Sequence, residues 1–198
     1  MAIEHNSIGA GEIHEPKGAS TATAGHVYVA DGAGSGVWSG QAPQPHGWIY
    51  YKDGAAAQTF NTTAAKLSID GATSILDTYA PTGVSTLWDT TADVMTPAAL
   101  GDSYIVRLDL PVTARSGTPN KITIQYDIGG GATPSTVVVS EDLAVDGAAP
   151  YSISVSTAVF CLATFLANGM QIFLEVDTGT IDITEPAIFI TRTSGETL

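Results

Sequence analysis

Apolar and polar residues alternate along most of the chain after residue 46, and this period of two predicts β-strands. Segment Ser103–Thr113 is the clearest example, with one face wholly apolar, and we expect Pro111 to end it. The predicted strands are His26–Ala30, Gly47–Lys52, Ala65–Asp70, Ser103–Thr113, Lys121–Asp127, Ser135–Ser140, Tyr151–Ser156, Met170–Asp177, Ile181–Thr184 and Ala187–Thr193. The pattern therefore favours an all-β protein.

Turn sequences separate these strands, most of them containing glycine. They are Ser116-Gly117, Gly129–Gly131, Asp146-Gly147, Asn168-Gly169 and Thr178-Gly179. Helix is expected in only two segments, Thr157–Ala167 and Ala64–Ala72, and the second overlaps a predicted strand. About eight to ten strands, separated by roughly 8–14 residues, favour an antiparallel sandwich or jelly roll.

The first 40 residues follow a different pattern from the rest. Gly, Ala, Ser and Thr dominate residues 1–25, and a hairpin-like stretch, HVYVA–DGAGSG–VWSG, follows. Ordering this segment costs ~1–2 kcal/mol of backbone conformational entropy per residue. Because the segment has few large apolar side chains to offset this cost, we expect it to order only against a partner. We predict an anchoring arm with a hairpin at 1–40, a linker at 41–46 and a jelly-roll domain at 47–198.

Composition indicates one compact domain beside the arm. A chain of 20.3 kDa buries about 70% of its surface on folding, which suffices for a core without disulfides. The single cysteine, Cys161, lies in the apolar run AVFCLATFLA and is predicted to be a buried small hydrophobe rather than a nucleophile. No signal peptide and no apolar run of ~18 residues is evident, so we expect a soluble protein folded in a reducing cytosol, with no membrane insertion.

Charge excludes one class of partner. The net charge is −13, from 20 acidic and 7 basic residues, and the basic residues are scattered. Because a nucleic-acid site needs clustered Lys or Arg to neutralise phosphates, we expect no nucleic-acid partner. The acidity is interpreted as a solvated surface.

Residues with catalytic or ligand chemistry form no recognisable site. His5 and His14 lie near glutamates, but their spacing matches no compact metal-ligand pattern. The stretches GAGSGVW and GGGAT lack the Lys-Ser/Thr of a phosphate loop, and no GxSxG motif occurs. We therefore expect no enzyme activity, no cofactor and no metal.

One stretch of the arm carries a resemblance to a known family. The matching residues are His14-Glu15-Pro16-Lys17-Gly18, then Ala22–Gly25, then Val27–Gly32, closing with Gly36-Val37-Trp38. This string resembles a segment near the N-terminus of small virion proteins of tailed bacteriophages, of the head-fibre, capsid-decoration or tail-fibre type. The strand pattern of the remaining chain is similar to trimeric jelly rolls of the tumour-necrosis-factor or complement-C1q type.

The resemblance implies a homotrimeric virion protein, made in the bacterial host cytoplasm, whose arm binds the major capsid protein or another virion protein. The candidate capsid-anchoring residues are Ile13, His14, Pro16, Lys17, Gly18, Tyr28 and Trp38. The alternating strands also supply more apolar positions than one sandwich interior needs, which predicts a trimer axis lined by their side chains. The candidate interface residues are Tyr104, Val106, Leu108, Phe173 and Phe189.

Two other functions remain open at this point. A tail-fibre or receptor-binding protein would share the architecture and recognise a host-surface carbohydrate. A carbohydrate-binding module would present an exposed aromatic platform, for which the candidates are Trp48, Tyr50, Tyr51 and Trp88.

Overall fold

The computed structural model describes residues 26–30, 36–39, 46–81, 84–145 and 148–194. The chain divides into two units, Met1–Gln44 and Pro45–Leu198. In the first unit, β1 (Val27–Ala30) and β2 (Gly36–Ser39) form an antiparallel hairpin that sets Tyr28 opposite Trp38. Five candidate anchoring residues lie outside the described residues, namely Ile13, His14, Pro16, Lys17 and Gly18.

The second unit consists almost entirely of strands, with one short helix. Its elements are β3 (Gly47–Lys52), β4 (Gln58–Phe60), β5 (Ala65–Lys66), β6 (Ser74–Leu76), β7 (Trp88–Asp89), β8 (Val94–Met95), β9 (Ser103–Ser116), β10 (Lys121–Asp127), β11 (Val137–Ala144), β12 (Tyr151–Phe160), α1 (Ala163–Asn168), β13 (Gln171–Val176), β14 (Thr180–Ile183) and β15 (Ala187–Ser194). Every ladder between them is antiparallel.

Two large sheets form the domain, and β7 and β8 pair separately as a two-stranded sheet. Sheet I has the order β12-β9-β15-β3-β6, with β14 beside the second half of β9 and β4 beside β14; sheet II has the order β11-β10-β13-β5. The chain crosses repeatedly between them, since β9 and β12 belong to sheet I while β10, β11 and β13 belong to sheet II. This path is that of a jelly roll, which confirms the predicted antiparallel β-sandwich.

The core lies between the two sheets because alternate side chains of each strand point inward. From β9 the inward residues are Tyr104, Val106, Leu108, Leu110 and Val112, all 0–1% exposed. From β13 they are Ile172, Leu174 and Val176. Burying each such side chain contributes ~1.5–3 kcal/mol, so the sandwich interior supplies the main stabilisation of the domain.

Pro111 does not end its strand, contrary to the sequence prediction, because β9 continues to Ser116. The Pro111 carbonyl accepts a hydrogen bond from the Thr184 N–H at 3.1 Å. A strand residue directs its N–H and C=O to the same neighbour. Strand β15 pairs with β9 up to Asp109 and β14 pairs with it from Val112, so Pro111 lies between the two ladders. Its missing N–H therefore removes no ladder hydrogen bond.

The helix predicted over Thr157–Ala167 is largely wrong. Strand β12 continues to Phe160, with Thr157 paired to Val106 and Val159 to Tyr104, and only Ala163–Asn168 is helical. Pairing with the long strand β9 overrides the local sequence preference. The other expected helix, Ala64–Ala72, is replaced by the two-residue strand β5, which pairs with β13.

A fully buried ion pair lies at one end of the core. The Arg192 guanidinium donates to Oδ1 of Asp102 at 2.6 Å, and the two side chains are 1% and 0% exposed. Oδ2 of Asp102 accepts the Tyr104 hydroxyl proton at 2.6 Å and the Ala99 N–H at 2.9 Å. Burial, reinforced by the hydrogen bond to Asp102, raises the pKa of Tyr104, which therefore stays a proton donor. This cluster joins the start of β9 to the end of β15.

Cys161 is 0% exposed, which confirms the prediction of a buried small residue. Burial, together with the nearby Asp102 charge, raises the pKa of the thiol to about 11. At pH 8 the thiolate fraction is then about 200-fold below that of an ordinary cysteine. We expect iodoacetamide to leave Cys161 unmodified in the folded protein at pH 8 and to label it in urea, as measured by mass spectrometry. Equal rates in both states would show that the thiol is accessible.

Candidate assembly surfaces

The structure places four of the five candidate interface residues inside their own chain. Tyr104, Val106 and Leu108 point into the sandwich interior and are 0–1% exposed. Phe173 is also fully buried. It lies on the face of sheet II opposite the core, because its neighbours Ile172 and Leu174 point into the core. These side chains are not available to a second chain. Phe189 is partly exposed on the outer face of sheet I.

An aromatic stack lies beside Phe189 on that outer face. The ring of Trp48 stacks on Tyr79 at a centroid distance of 4.7 Å and on Phe189 at 5.2 Å, with interplanar angles of 22° and 29°. Gly47 permits this arrangement, since a Cβ there would lie 2.5 Å from the Tyr79 carbonyl oxygen. The backbone N–H of Trp48 donates a hydrogen bond to the Tyr79 carbonyl oxygen at 2.8 Å.

The strand register extends the stack into a continuous apolar surface. Tyr50 lies opposite Phe189 on one side and Leu76 on the other, and Thr191 lies between Trp48 and Ile105. Tyr79, Leu76 and Ile105 are 59%, 44% and 43% exposed. We call this the outer-face patch and define it as Trp48, Tyr50, Leu76, Tyr79, Ile105 and Phe189.

A second apolar surface lies where the edge strands of the two sheets meet. Within the described residues, β11 pairs only with β10 and β12 only with β9. The Thr157 hydroxyl donates to the Glu141 carboxylate and so joins β12 to β11. Beside these strands lies a cavity of about 190 Å³, lined by Ile128, Val138, Val139, Ala158, Val159, Phe160, Leu162 and Phe165.

Several of these lining side chains are exposed. Phe160 and Leu162 are each 67% exposed and Val138 is 49% exposed, while Ala158 is also at the surface. We call these four residues the edge patch. Large apolar side chains with this exposure are unusual in a group on an isolated domain and typically mark an interaction surface.

Two of the four residues proposed for a carbohydrate platform belong to the core. Trp88 is 1% exposed and its indole N–H donates to the Ile69 carbonyl at 2.9 Å. Tyr51 is 3% exposed, and its hydroxyl lies 2.9 Å from that of Thr86. Neither ring is free to stack on a sugar, so only Trp48 and Tyr50 remain of that set.

A groove of about 310 Å³ with both polar and apolar lining residues lies over these two buried rings. Its lining residues are Tyr51, Ile75, Asp77, Thr86, Trp88, Asp89, Thr90 and Thr96. The backbone N–H groups of Ala92 and Thr91 donate to Asp89 at 3.0 and 2.8 Å and lower the pKa of that carboxyl. An ionised carboxylate beside hydroxyl groups can accept hydrogen bonds from a neutral, hydroxyl-rich ligand and repels an anionic one.

The hairpin of the first unit supplies the two described anchoring candidates. The rings of Tyr28 and Trp38 meet edge to face at a centroid distance of 5.4 Å. Both side chains are half-buried. Cross-strand aromatic pairs of this kind stabilise a two-stranded hairpin.

Across residues 26–30, 36–39, 46–81, 84–145 and 148–194, no group of three or more His, Cys, Asp or Glu side chains is arranged to hold a metal ion. In the same part of the chain, no helix is long and apolar enough to span a membrane.

Several solved structures are similar to the chain at low identity, whereas no protein-family model and no curated protein matches it. Eiger TNF from S. frugiperda is 11% identical, with a TM-score of 0.45, over 79% of this chain and 97% of that one. The PRD1 vertex protein P5 is 13% identical, with a TM-score of 0.47, over 86% and 83%. The coat protein of Tobacco streak virus is 10% identical, with a TM-score of 0.38, over 81% and 94%.

Proposed function

We propose that this protein is a structural component of a tailed-bacteriophage virion: a homotrimeric capsid-decoration or head-fibre protein whose residues 1–40 attach it to the shell. The carrying observation is the pair of exposed apolar patches on the β domain, which a soluble monomer would leave facing water. The resemblance of His14–Gly18 and Val27–Gly32 to arms of phage virion proteins supports the location.

A trimer suits attachment by weak individual arms. Three arms on one particle bind with an effective concentration that raises avidity by ~10²–10⁴ over a single arm. A three-fold or quasi-three-fold site on a capsid selects a three-fold symmetric ligand. The partner is then the major capsid protein or another virion protein, the protein is made in the host cytoplasm, and no catalytic step is involved.

We expect the purified protein to sediment as three chains at micromolar concentration, three times the 20.3 kDa mass of one chain. The reason is that assembly removes both patches from water. Analytical ultracentrifugation across a dilution series measures the mass. A single-chain mass throughout the series would contradict the homotrimer, and a two-chain mass would replace it with a dimer.

The place on the particle is tested separately. Cryo-electron microscopy of intact virions should locate many copies of the β domain on the head. Few copies confined to the tail would instead favour the second candidate, a tail-fibre or receptor-binding protein.

The groove above Tyr51 and Trp88 is the observation that favours this second candidate. Its carboxylates, Asp77 and Asp89, would accept hydrogen bonds from the hydroxyls of a neutral host-surface glycan. Glycan-array binding that prefers neutral over acidic sugars and is lost in Asp89→Asn would support receptor recognition. Binding to neither class would leave decoration as the function.

A further inference from the structure

We propose that the carboxyl groups of Asp53 and Asp70 share a single proton and form a pH-sensitive contact that fixes segment 70–77, one wall of the groove over Tyr51 and Trp88. The contact is made while the proton is present and is broken when both groups are ionised. We call these two groups the carboxyl pair. Both belong to one chain, so the contact does not depend on the homotrimer or on the place of the protein in a virion.

The carboxyl pair lies where β3 ends. Asp53 directly follows β3, and Asp70 begins the segment that leads into β6. The two carboxyl groups are hydrogen-bonded to each other, and the backbone N–H of Gly54 donates to both. Because an ionised carboxylate only accepts hydrogen bonds, a hydrogen bond between two carboxyl groups requires a proton on one of them.

The surroundings of the two groups place that proton on Asp53. The side chain of Asp53 is 7% exposed, whereas Asp70 lies at the surface. Burial is the main cause that raises the pKa of Asp53, and the hydrogen bond to Asp70 adds to it. The same hydrogen bond is the main cause that lowers the pKa of Asp70, reinforced by the Ala72 N–H, which donates to Oδ1 at 2.7 Å. Asp53 is therefore the donor and Asp70 the acceptor.

The other contacts of Asp53 fix the position of its side chain. Gln58 Nε2 donates to Oδ2 at 2.7 Å, and the backbone N–H of Asp70 donates to Oδ1 at 3.3 Å. The amide of Gln58 is itself held by Ser68, whose carbonyl accepts from Nε2 at 2.8 Å and whose N–H donates to Oε1 at 3.0 Å. An Asp53 side chain held in this way cannot turn away from Asp70 when it loses its proton.

The charged groups on the elements around the pair are bonded elsewhere. Lys52 pairs with Glu185, and Lys66 donates to the Ala92 carbonyl at 2.7 Å. Neither lysine therefore neutralises a second negative charge on the carboxyl pair. The acidic groups on these elements accept hydrogen bonds of their own: Asp93 from the Ser68 hydroxyl at 3.0 Å and the Ile69 N–H at 2.9 Å, and Asp182 from the Thr59 hydroxyl at 2.6 Å.

The segment that the pair fixes has few other attachments. Strand β6 is an edge strand of three residues that pairs only with β3 in the described part of the chain, and the Thr73 N–H donates to the Lys52 carbonyl at 3.1 Å. Its apolar side chains, Ile75 and Leu76, are 51% and 44% exposed, so burial adds little. Since Ile75 and Asp77 line the groove, the carboxyl pair helps to set the position of that wall.

The carboxyl pair makes this wall sensitive to pH. A carboxyl group whose pKa is raised by folding stabilises the folded state while it is protonated, and this contribution is lost as the pH rises through the folded pKa. Above that pH both groups are ionised, so their hydrogen bond is lost and they repel each other. Asp70 acts in the opposite sense, because its pKa lies below the ordinary value of 3.8. We therefore expect segment 70–77 to be fixed in mild acid and looser at neutral pH.

The first test is Asp53→Asn. The amide has the shape of the protonated carboxyl group and donates to the Asp70 carboxylate at every pH. The thermal midpoint of this variant should match that of the unmodified protein at pH 4 and exceed it by roughly 2–4 °C at pH 8, the scale of one hydrogen bond in a domain of this size. Asp77→Asn is the matched control, since it removes the same charge from segment 70–77 without touching the pair. An effect of net charge alone would appear equally in both variants.

The second test locates the effect by hydrogen exchange. At pH 7 the backbone amides of segment 70–77 should exchange roughly 5-fold more slowly in Asp53→Asn than in the unmodified protein, because the variant keeps the contact. At pH 4 the two proteins should exchange alike. Mass spectrometry of peptides at equal pH measures this ratio and removes the intrinsic dependence of exchange on pH. Peptides from β10 should give the same rate in both proteins.

A third measurement uses the unmodified protein and so remains decisive if a variant does not fold. In an NMR titration of the carboxyl carbons, Asp53 should titrate above 3.8 and Asp70 below it. An Asp53 carboxyl that titrates at or below 3.8 would overturn the shared proton. A stabilisation by Asp53→Asn that is the same at pH 4 and pH 8, or that Asp77→Asn reproduces, would overturn the pH-sensitive contact. None of these outcomes bears on the homotrimer.

Discussion

A chain that begins at Gln44 is expected to lose attachment to undecorated capsids while it still folds and assembles as a trimer. The unit boundary lies between Gln44 and Pro45, and both apolar patches belong to the second unit. Terminal segments rarely carry the stability of a domain unless they are paired into its sheet. Loss of all three arms removes both the individual contacts and their avidity, so we expect no detectable co-sedimentation with capsids.

The converse experiment tests sufficiency. Residues 1–40 fused to an unrelated trimeric protein should bind the same capsids. Within the arm, Trp38→Ala should weaken attachment more than Lys17→Ala, because a central interface tryptophan commonly contributes ~2 kcal/mol or more whereas a charge on the polar rim contributes little. Capsid binding that survives removal of residues 1–40, but is abolished by changes in the loops of the β domain, would contradict the attachment proposal.

Alternation along the sequence predicted the long strands of the domain but not the short strands β4, β6, β7 and β8. The predicted bounds of Gly47–Lys52 and Lys121–Asp127 are those of β3 and β10. The same rule misled the choice of interface residues. It identified the apolar face of β9, but that face, with Tyr104 and Val106, is the one the chain buries in its own sandwich.

The residues of the edge patch were missed for a different reason. Phe160 and Leu162 lie in the apolar run AVFCLATFLA. A run of this length and composition suits either a helix or a buried strand, so the sequence alone does not decide between them. The period-two signal is nevertheless present, since Val155, Thr157 and Val159 are buried while Ser156, Ala158 and Phe160 are exposed. Pairing with β9 selects the strand over the helix. Such pairing depends on the tertiary fold and is not encoded in the local sequence.

The burial of Arg192 follows from the alternation along β15, although the side chain is charged. Ile188, Ile190 and Arg192 share one face of β15, so the alternation that buries the two isoleucines also buries the arginine. A charge in that position needs a partner. The partner, Asp102, is 90 residues away along the chain, and a single sequence contains no signal that links them.

Substitution of one member of the buried pair is expected to have a large effect on stability. Arg192→Met leaves the Asp102 carboxylate 0% exposed beside only the Tyr104 hydroxyl and the Ala99 N–H, without the guanidinium that balances its charge. Removal of one partner of a buried ion pair costs ~3–5 kcal/mol. For a domain of this size we expect the thermal midpoint to fall by roughly 10 °C.

Two further variants isolate the charge from the loss of packing. Asp102→Asn combined with Arg192→Met leaves no unpaired charge, and the amide can still accept the Ala99 N–H, so the double variant should be more stable than Arg192→Met alone. Lys121→Ala is the exposed control, since its 3.0 Å pair with Asp142 is at the surface and contributes ~0–1 kcal/mol. Thermal unfolding followed by circular dichroism at equal protein concentration measures all three. A double variant no more stable than Arg192→Met would show that the arginine side chain stabilises the core by packing, and that its charge is incidental.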